Sequence, residues 1–234
     1  MSKQFIVLLH ETSHPGNIGA SARAMKTMGI EKLRLVNTTD AEHSDAYAMA
    51  SGADDILFKA QKYENIPESI KDLDIVFGMS GRKRSNHHHC ISSTKMTEIL
   101  NNVPANNIGL LFGNEQNGLD NEALSYCQYQ VAVPTNPNFS SLNVAACVQL
   151  VCYICSSIEI TPTRENEPLS IPQGQYQALT ELLGSIITNT NMYNAQNFEL
   201  TKQRLRQIVL HSNLTKDDVD LIMGILKQIK HVSK

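Results

Sequence analysis

The chain is predicted to form an α/β domain, with a parallel sheet that has helices on both faces, followed by a small helical C-terminal domain. Short apolar runs rich in β-branched residues alternate with segments of helical character over residues 1–160. Such alternation is typical of a parallel sheet covered by helices. Beyond residue 173 the apolar side chains recur at helical spacing instead, which predicts a separate helical unit.

The strands and helices of the main domain are predicted from these runs. The runs with strand length and composition are residues 5–9, 33–36, 56–58, 75–77, 108–112 and 131–133. The helical segments are residues 20–28, 45–51, 94–100 and 142–157. Ligands of such sheets bind beyond the carboxyl ends of the strands, so the segments that follow the strands are the candidate site.

A segment rich in Pro, Thr and charged residues separates the two parts of the chain. Residues 161–173, TPTRENEPLSIPQ, lack apolar periodicity, and we interpret them as a linker between residues 1–160 and a helical domain at 174–234. In the last part of that domain, Thr215 with Asp218 three residues later predicts the start of a helix.

The composition is that of a globular protein. Hydrophobic residues make up 41% and charged residues 18% of the chain, which excludes a disordered or fibrous class. The first residues contain one short apolar run, without a cleavage site or a stretch long enough to cross a membrane, so a cytoplasmic, non-membrane protein is expected.

The five cysteines are irregularly spaced and fit a reducing compartment. Cys152 and Cys155 form a C-x-x-C, but their apolar surroundings predict a buried helix face rather than a redox or zinc pair. The net charge of −3 argues against indiscriminate nucleic-acid binding. Any RNA contact must therefore depend on local basic residues.

Three polar segments follow predicted strands. The first, HETSHPGNIGASARAM, passes from a strand into a helix, and its glycines permit a tight backbone path. The second, GLLFGNEQNGLDNE, places Glu115 between Gly113 and Gly118. The third, VAVPTNPNFSSLNVAACVQL, is a strand, a proline-containing loop and a helix start, where a serine can cap the helix or contact a ligand.

The second segment shares its G-x-x-x-x-G spacing with phosphate-binding loops. Leu119 and Asp120 stand where such a loop has Lys and Ser or Thr, so a P-loop NTPase is excluded. No G-x-G-x-x-G occurs either, which disfavours a dinucleotide-binding Rossmann domain.

At these three segments the sequence closely resembles the SpoU/TrmH-type branch of the SPOUT superfamily, RNA ribose 2′-O-methyltransferases with a deep trefoil knot. The residues that match the three family motifs in order are Asn17, Gly19 and Arg23, then Phe112, Gly113, Glu115, Gly118 and Leu119, then Pro134, Ser141, Leu142 and Asn143. The resemblance covers roughly residues 1–160 and implies a knotted cofactor pocket.

The resemblance implies S-adenosylmethionine (SAM) as the cofactor, held largely by backbone groups. The residues expected to bind it are Met79, Ser80, Gly81, Gly113, Val133, Ser140, Ser141 and Leu142. The residues expected to act in catalysis are Arg23, Asn17, Glu115, Ser141 and Asn143.

Arg23 is the expected principal catalytic residue. A guanidinium stays protonated at neutral pH and is a poor base, so Arg23 should orient the 2′-hydroxyl, stabilise the developing alkoxide or anchor a phosphate. Asn17 and Asn143 would hold the ribose or each other. Glu115 would fix Arg23 or Asn17 through charge-assisted hydrogen bonds, or be purely structural.

Four arginines are expected to contact RNA. Arg82 and Arg84 follow the fourth predicted strand on the ligand-binding side, and Arg204 and Arg206 belong to a basic cluster in the C-terminal helices. The cluster at residues 87–90 has metal-ligand residue types, but we interpret it as an exposed loop and expect no metal. The family resemblance also implies a homodimer.

Within this branch, the segments ETSHPGNIGASARAMKTMG and GMSGR and the tail with RLRQIV are most similar to enzymes that methylate nucleotide 32 of the tRNA anticodon loop. The expected function is SAM-dependent 2′-O-methylation of cytidine or uridine there. Three alternatives stay open: another tRNA or rRNA nucleotide, a catalytically silent RNA-binding module, and a small-molecule α/β enzyme. The intact motif residues disfavour the second, and the missing nucleotide fingerprints disfavour the third.

Overall fold

A computed structural model describes residues 3–81, 90–136, 138, 141–158, 171–189, 195–212 and 214–232 of the chain. Within these ranges seven parallel strands form one sheet. The strands are β1 (Gln4–His10), β2 (Lys32–Val36), β3 (Gln61–Tyr63), β4 (Ile75–Met79), β5 (Cys90–Ser92), β6 (Asn107–Phe112) and β7 (Tyr129–Ala132). Their order across the sheet is β3-β2-β1-β6-β4-β7-β5.

Helices cover the two faces of the sheet, and three longer helices follow. Those of the main domain are α1 (Pro15–Thr27), α2 (Ser44–Ala50), α3 (Asp54–Phe58), α4 (Ile66–Ser69), α5 (Ser93–Asn102), α6 (Asn121–Ser125) and α7 (Val144–Ser156). The C-terminal helices are α8 (Gln173–Asn189), α9 (Ala195–Leu210) and α10 (Lys216–Val232).

Strand β1 shows how the apolar pattern builds the core. Ile6 and Leu8 pack with residues of α4 and α6 on one face of the sheet. Val7 and Leu9 pack with α1, α2, α5 and α7 on the other. Alternate residues of a strand point to opposite faces, so a continuous apolar run marks a strand that is buried on both sides.

The prediction of local structure is wrong at residues 56–58 and misses the two edge strands. Residues 56–58 were predicted as a strand but end α3, and the Phe58 side chain is 74% exposed. An apolar run of this length does not distinguish a strand from a short helix. Strands β3 and β5 were not predicted, because an edge strand of three residues carries little pattern.

The C-terminal helices have a core of their own, which includes Ile171, Leu179, Val209 and Val219. The predicted start of the last helix is confirmed: Thr215 N–H and Oγ1 donate to Asp218 Oδ2 at 2.8 and 2.6 Å, and Asp218 N–H donates to Thr215 Oγ1 at 3.2 Å. Of the predicted linker, residues 161–170 lie outside the described part.

The C-terminal helices also bond to the sheet domain at the start of α8. The backbone N–H of Gln173 donates to the Leu73 carbonyl at 2.8 Å, and that of Gly174 donates to Lys71 at 3.1 Å. Cys152 and Cys155 are buried on α7, as predicted. No helix in the described ranges is both long and apolar enough to cross a membrane.

Candidate active site

A cavity opens where three neighbouring strands end. Strand β4 lies between β6 and β7, so the segments that follow these strands meet at one edge of the sheet. They surround about 870 Å³ of space that is partly open to solvent. The lining residues are Met79, Ser80, Gly81, Phe112, Gly113, Asn114, Glu115, Gln116, Asn117, Gly118, Val133, Thr135, Ser141, Leu142, Val144 and Cys147.

The predicted cofactor residues come together in this cavity. Each of them that lies in the described ranges is part of the lining, whereas Ser140 lies outside those ranges. The lining also includes Thr135, Val144 and Cys147, which were not predicted, although they belong to the loop and helix of the third segment. Burial raises the pKa of Cys147 to about 11, so its thiol is neutral at pH 7 and a poor nucleophile.

The loop at residues 113–118 turns sharply along one wall of the cavity. A Cβ on Gly113 would lie 2.2 Å from the Gly118 carbonyl carbon, so a side chain cannot fit there. Gly118 has φ +65°, a left-handed conformation that favours glycine. Inside the loop, Asn114 Oδ1 accepts from the N–H groups of Gln116 and Asn117 at 3.2 and 2.7 Å.

Glu115 joins this loop to the segment between β1 and α1. Its Oε2 accepts from Ser13 N–H at 3.1 Å and Ser13 Oγ at 3.0 Å, and its Oε1 accepts from His14 N–H at 3.2 Å and Asn17 Nδ2 at 2.9 Å. Burial alone would raise the pKa of this carboxyl. The hydrogen bonds from Asn17 and Ser13 outweigh burial and lower the pKa of Glu115 to about 2. Glu115 is therefore ionised at neutral pH.

Asn17 extends this network to the third segment. While its Nδ2 donates to Glu115, its Oδ1 accepts from Asn143 Nδ2 at 3.0 Å. Asn143 is the N-cap of α7, and its Oδ1 accepts from the N–H groups of Ala145 and Ala146 at 2.9 and 3.4 Å. The two asparagines were expected to contact either the ribose or each other, and in the structure their side chains are hydrogen-bonded to each other.

Arg23 lies outside this network. It is six residues after Asn17 on α1, about 9 Å farther along the helix axis, and it does not line the cavity. Its side chain is exposed and has no hydrogen bond or ion pair with any described residue. Glu115 therefore fixes Asn17 in this chain and not Arg23.

Gly19 has a packing role. A Cβ at this position would lie 1.9 Å from the Ala46 carbonyl oxygen, so α1 and α2 can approach this closely only without a side chain there. This contact holds α1 in place, and α1 carries both Asn17 and Arg23.

The predicted RNA-contacting arginines differ in their surroundings. Arg82 and Arg84, like residues 87–89, lie outside the described ranges. Arg204 is exposed on α9. Arg206 is 8% exposed: its guanidinium carbon lies 3.7 Å from the Tyr126 ring centroid and its Nη1 donates to Ser125 Oγ.

This environment corrects the assignment of Arg206. A guanidinium enclosed by its own protein cannot also reach a phosphate, and Arg206 attaches α9 to α6 instead. Its neighbour Gln207 strengthens the attachment, because Nε2 donates to the carbonyl oxygens of Ser125 at 2.8 Å and Cys127 at 3.2 Å. The sequence contains a signal for this, since Arg206 shares a helix face with the buried Val209 and Leu210.

Comparison with known proteins agrees with this geometry. A profile of the SpoU rRNA Methylase family matches residues 4–153, and the chain belongs to this family. An uncharacterized tRNA/rRNA methyltransferase of Haemophilus influenzae is 30% identical over 233 residues, which cover 98% of this chain and 96% of the relative.

Two further relatives have the name TrmJ. The tRNA (cytidine/uridine/adenosine-2′-O-)-methyltransferase TrmJ of Pseudomonas aeruginosa is 33% identical over 242 residues, which cover 97% of this chain and 94% of that protein. The crystal structure of TrmJ from Z. mobilis ZM4 superposes with a TM-score of 0.87 at 27% identity, covering 96% of this chain and 98% of that one. The predicted fold class, a SPOUT-type α/β domain with a helical C-terminal region, is confirmed.

Proposed function

We propose that the chain is a SAM-dependent methyltransferase of the cytoplasm that 2′-O-methylates tRNA at cytidine or uridine 32. The observation that carries the proposal is the cavity formed by the segments after β4, β6 and β7, which include the second and third motifs. The Asn17–Glu115–Asn143 network joins the first motif to this cavity. The names of the TrmJ relatives support tRNA as the substrate. Nucleotide 32 is supported by the resemblance of residues 11–29 and 78–82 to enzymes with that target.

The residues of the cavity fit SAM. Met79, Leu142 and Val144 provide apolar surface for a purine ring, while the glycine-containing loop at 113–118 lets backbone N–H and C=O groups approach a ligand closely. Serine, threonine, asparagine and glutamine side chains add neutral hydrogen-bonding groups. When bound, SAM supplies a methyl group on a cationic sulfur.

The chain's own residues then have to position the 2′-hydroxyl and accommodate its loss of a proton. Such catalysis depends on fixed geometry, and the network of Glu115, Asn17 and Asn143 fixes the three segments relative to one another. We assign Arg23 to the 2′-oxygen or the adjacent phosphate, where its permanent charge would stabilise the developing alkoxide or orient the RNA.

The placement of Arg23 supports a homodimer as the active form. Arg23 does not line the cavity of its own chain, and we propose that a second copy supplies it. Helix α7 packs on α1 and exposes apolar side chains, with Leu150 42% and Tyr153 61% accessible. We propose that a dimer covers this face and places α1, which carries Arg23, beside the second protomer.

The proposed RNA-binding surface includes Arg82, Arg84 and Arg204 but not Arg206. Arg204 lies on the exposed side of α9, the helix that Arg206 and Gln207 attach to the sheet domain. The C-terminal helices would then hold the tRNA at a fixed distance from the cavity.

The test combines binding and transfer. Isothermal titration of the protein with SAM should show a stoichiometric site, and radiolabel from the SAM methyl group should appear in total tRNA but not in ribosomal RNA. Label in ribosomal RNA alone would contradict the tRNA assignment in favour of another SpoU-type target. SAM binding with no transfer to any RNA would support a catalytically silent module.

A further inference from the structure

Glu11 has a backbone conformation that its residue type disfavours. It directly follows β1 with φ +54°, in the left-handed region that glycine adopts at low cost and other L-residues do not. Its N–H donates to the Val36 carbonyl at 3.0 Å, which continues the hydrogen bonding of the sheet past the end of β1. Residues kept in such a conformation concentrate at functional sites.

The Glu11 side chain reaches the loop that lines the cavity. Its Oε2 accepts from Asn114 Nδ2 at 3.3 Å. The amide of Asn114 can point only this way, since its Oδ1 already accepts from the N–H groups of Gln116 and Asn117. The Glu11 carboxylate therefore holds the residue around which the loop turns.

The contact has a counterpart that runs in the opposite direction. Glu11 extends from the segment after β1 to Asn114, and Glu115 extends from the loop after β6 to Ser13, His14 and Asn17. Each of these two segments therefore contributes one carboxylate that accepts hydrogen bonding from the other segment.

We infer that Glu11 is a positioning residue for the cofactor site: its carboxylate holds the cavity loop through Asn114, and the left-handed backbone at residue 11 is kept because it directs the side chain there. The inference rests on the proposed function, since it treats the loop at 113–118 as part of the SAM site. It predicts an effect on SAM and not on the affinity for tRNA.

Three variants of Glu11 and one control test the inference. In E11A and E11G the SAM dissociation constant should rise about threefold to tenfold, the usual effect of losing one half-exposed hydrogen bond to a charged group. E11Q keeps an acceptor oxygen and should stay within about twofold of the wild type. E64A, which removes an exposed carboxylate beyond β3, should have no effect. The KM for tRNA should not change in any of them.

E11G separates the side chain from the backbone. Glycine relieves the left-handed conformation, so E11G should melt no lower than E11A and still bind SAM weakly. Wild-type SAM affinity in E11A or E11G would overturn the inference, and so would an E11Q protein as weak as E11A, because loss of charge alone would then explain the effect.

A readout without SAM keeps this inference distinct from the proposed function. In the ligand-free protein, hydrogen exchange at the amides of Gln116 and Asn117 should be faster in E11A than in the wild type, and unchanged in E11Q. Unchanged exchange in E11A would overturn the Glu11 assignment even if SAM binds. A wild-type protein that binds no SAM would instead contradict the proposed function.

Discussion

The guanidinium carbon of Arg206 lies 3.7 Å from the centroid of the Tyr126 ring, and this contact joins the C-terminal helices to the sheet domain. The side chain is 8% exposed, and Ser125 and Gln207 complete the junction. Tyr126 directly follows α6, which is close in sequence to the cavity loop at 113–118. The C-terminal region is therefore bonded to the short helix that follows the cavity loop along the chain.

Arg206 and Arg204 should respond differently to substitution. R206M should lower the free energy of unfolding by about 2 kcal/mol, because it removes a desolvated cation–π contact and a buried hydrogen bond. R204A should leave stability unchanged and weaken tRNA binding. The slope of log affinity against log salt concentration should become about 0.8 less steep in R204A and stay unchanged in R206M. An unchanged slope in R204A would remove that residue from the RNA surface.

The low pKa of Glu115 predicts how the site responds to acid. The pKa of Glu115 is about 2 in the folded protein, below the ordinary value of 4.5. At pH values above about 4.5 the ionised carboxylate therefore stabilises the folded state. This contribution is lost as pH falls from about 4.5 toward 2. E115Q offers one acceptor oxygen to the Ser13, His14 and Asn17 donors, which bond to two oxygens in the wild type. It should therefore be less stable than the wild type at pH 7.

Thermal melts of the two proteins from pH 7 to pH 2.5 measure this effect. The melting temperatures should differ by a constant amount above about pH 5 and converge below it. A difference that is independent of pH over the whole range would show that Glu115 is not held by the Ser13, His14 and Asn17 donors.

Gly19 should tolerate no side chain, because a Cβ there would lie 1.9 Å from the Ala46 carbonyl oxygen. G19A should cost about 2 to 3 kcal/mol, the usual effect of overpacking between two helices. The matched control is G224A: nothing lies within 4 Å of a Cβ at that position in α10, so the helix propensity of alanine should stabilise it by about 1 kcal/mol. Urea denaturation of both variants checks the pair. A stable G19A would mean that α1 and α2 are not in close contact.

Mixed dimers test whether Arg23 acts across the subunit boundary. R23A removes the arginine, and G113V should block the cavity, because a side chain there meets the Gly118 backbone. Each variant alone should be at least about a hundredfold less active than the wild type, in line with the loss of a charge-stabilising donor or of the cofactor. Co-purified R23A/G113V heterodimers should regain activity, since one cavity is open and faces an intact Arg23.

The same experiment has a clear contrary outcome. If Arg23 serves its own chain, neither protomer of the heterodimer contains both an open cavity and an arginine. Activity no higher than in the two parent variants would then contradict the dimer proposal.

The fold was largely predictable because buried parallel strands carry continuous apolar runs, as β1 and β6 do. The gathering of the cavity residues was predictable as well, since the carboxyl ends of neighbouring strands share one edge. Contacts that depend on which helices and strands lie side by side were not predictable. The burial of Arg206 requires α6 to lie beside α9, and the order of strands that places β4 between β6 and β7 is not encoded in any local pattern.

Methyl transfer to the ribose of one tRNA nucleotide requires the 2′-oxygen of that nucleotide, so removing this single atom from the substrate should abolish the reaction. A tRNA carrying cytidine or uridine at position 32 is incubated with the protein and SAM, beside an identical tRNA with 2′-deoxyribose at that nucleotide only. We predict one methyl group per molecule at nucleotide 32 of the first tRNA and none in the second. Equal methylation of both tRNAs, or a methyl group on a base, would contradict the assignment.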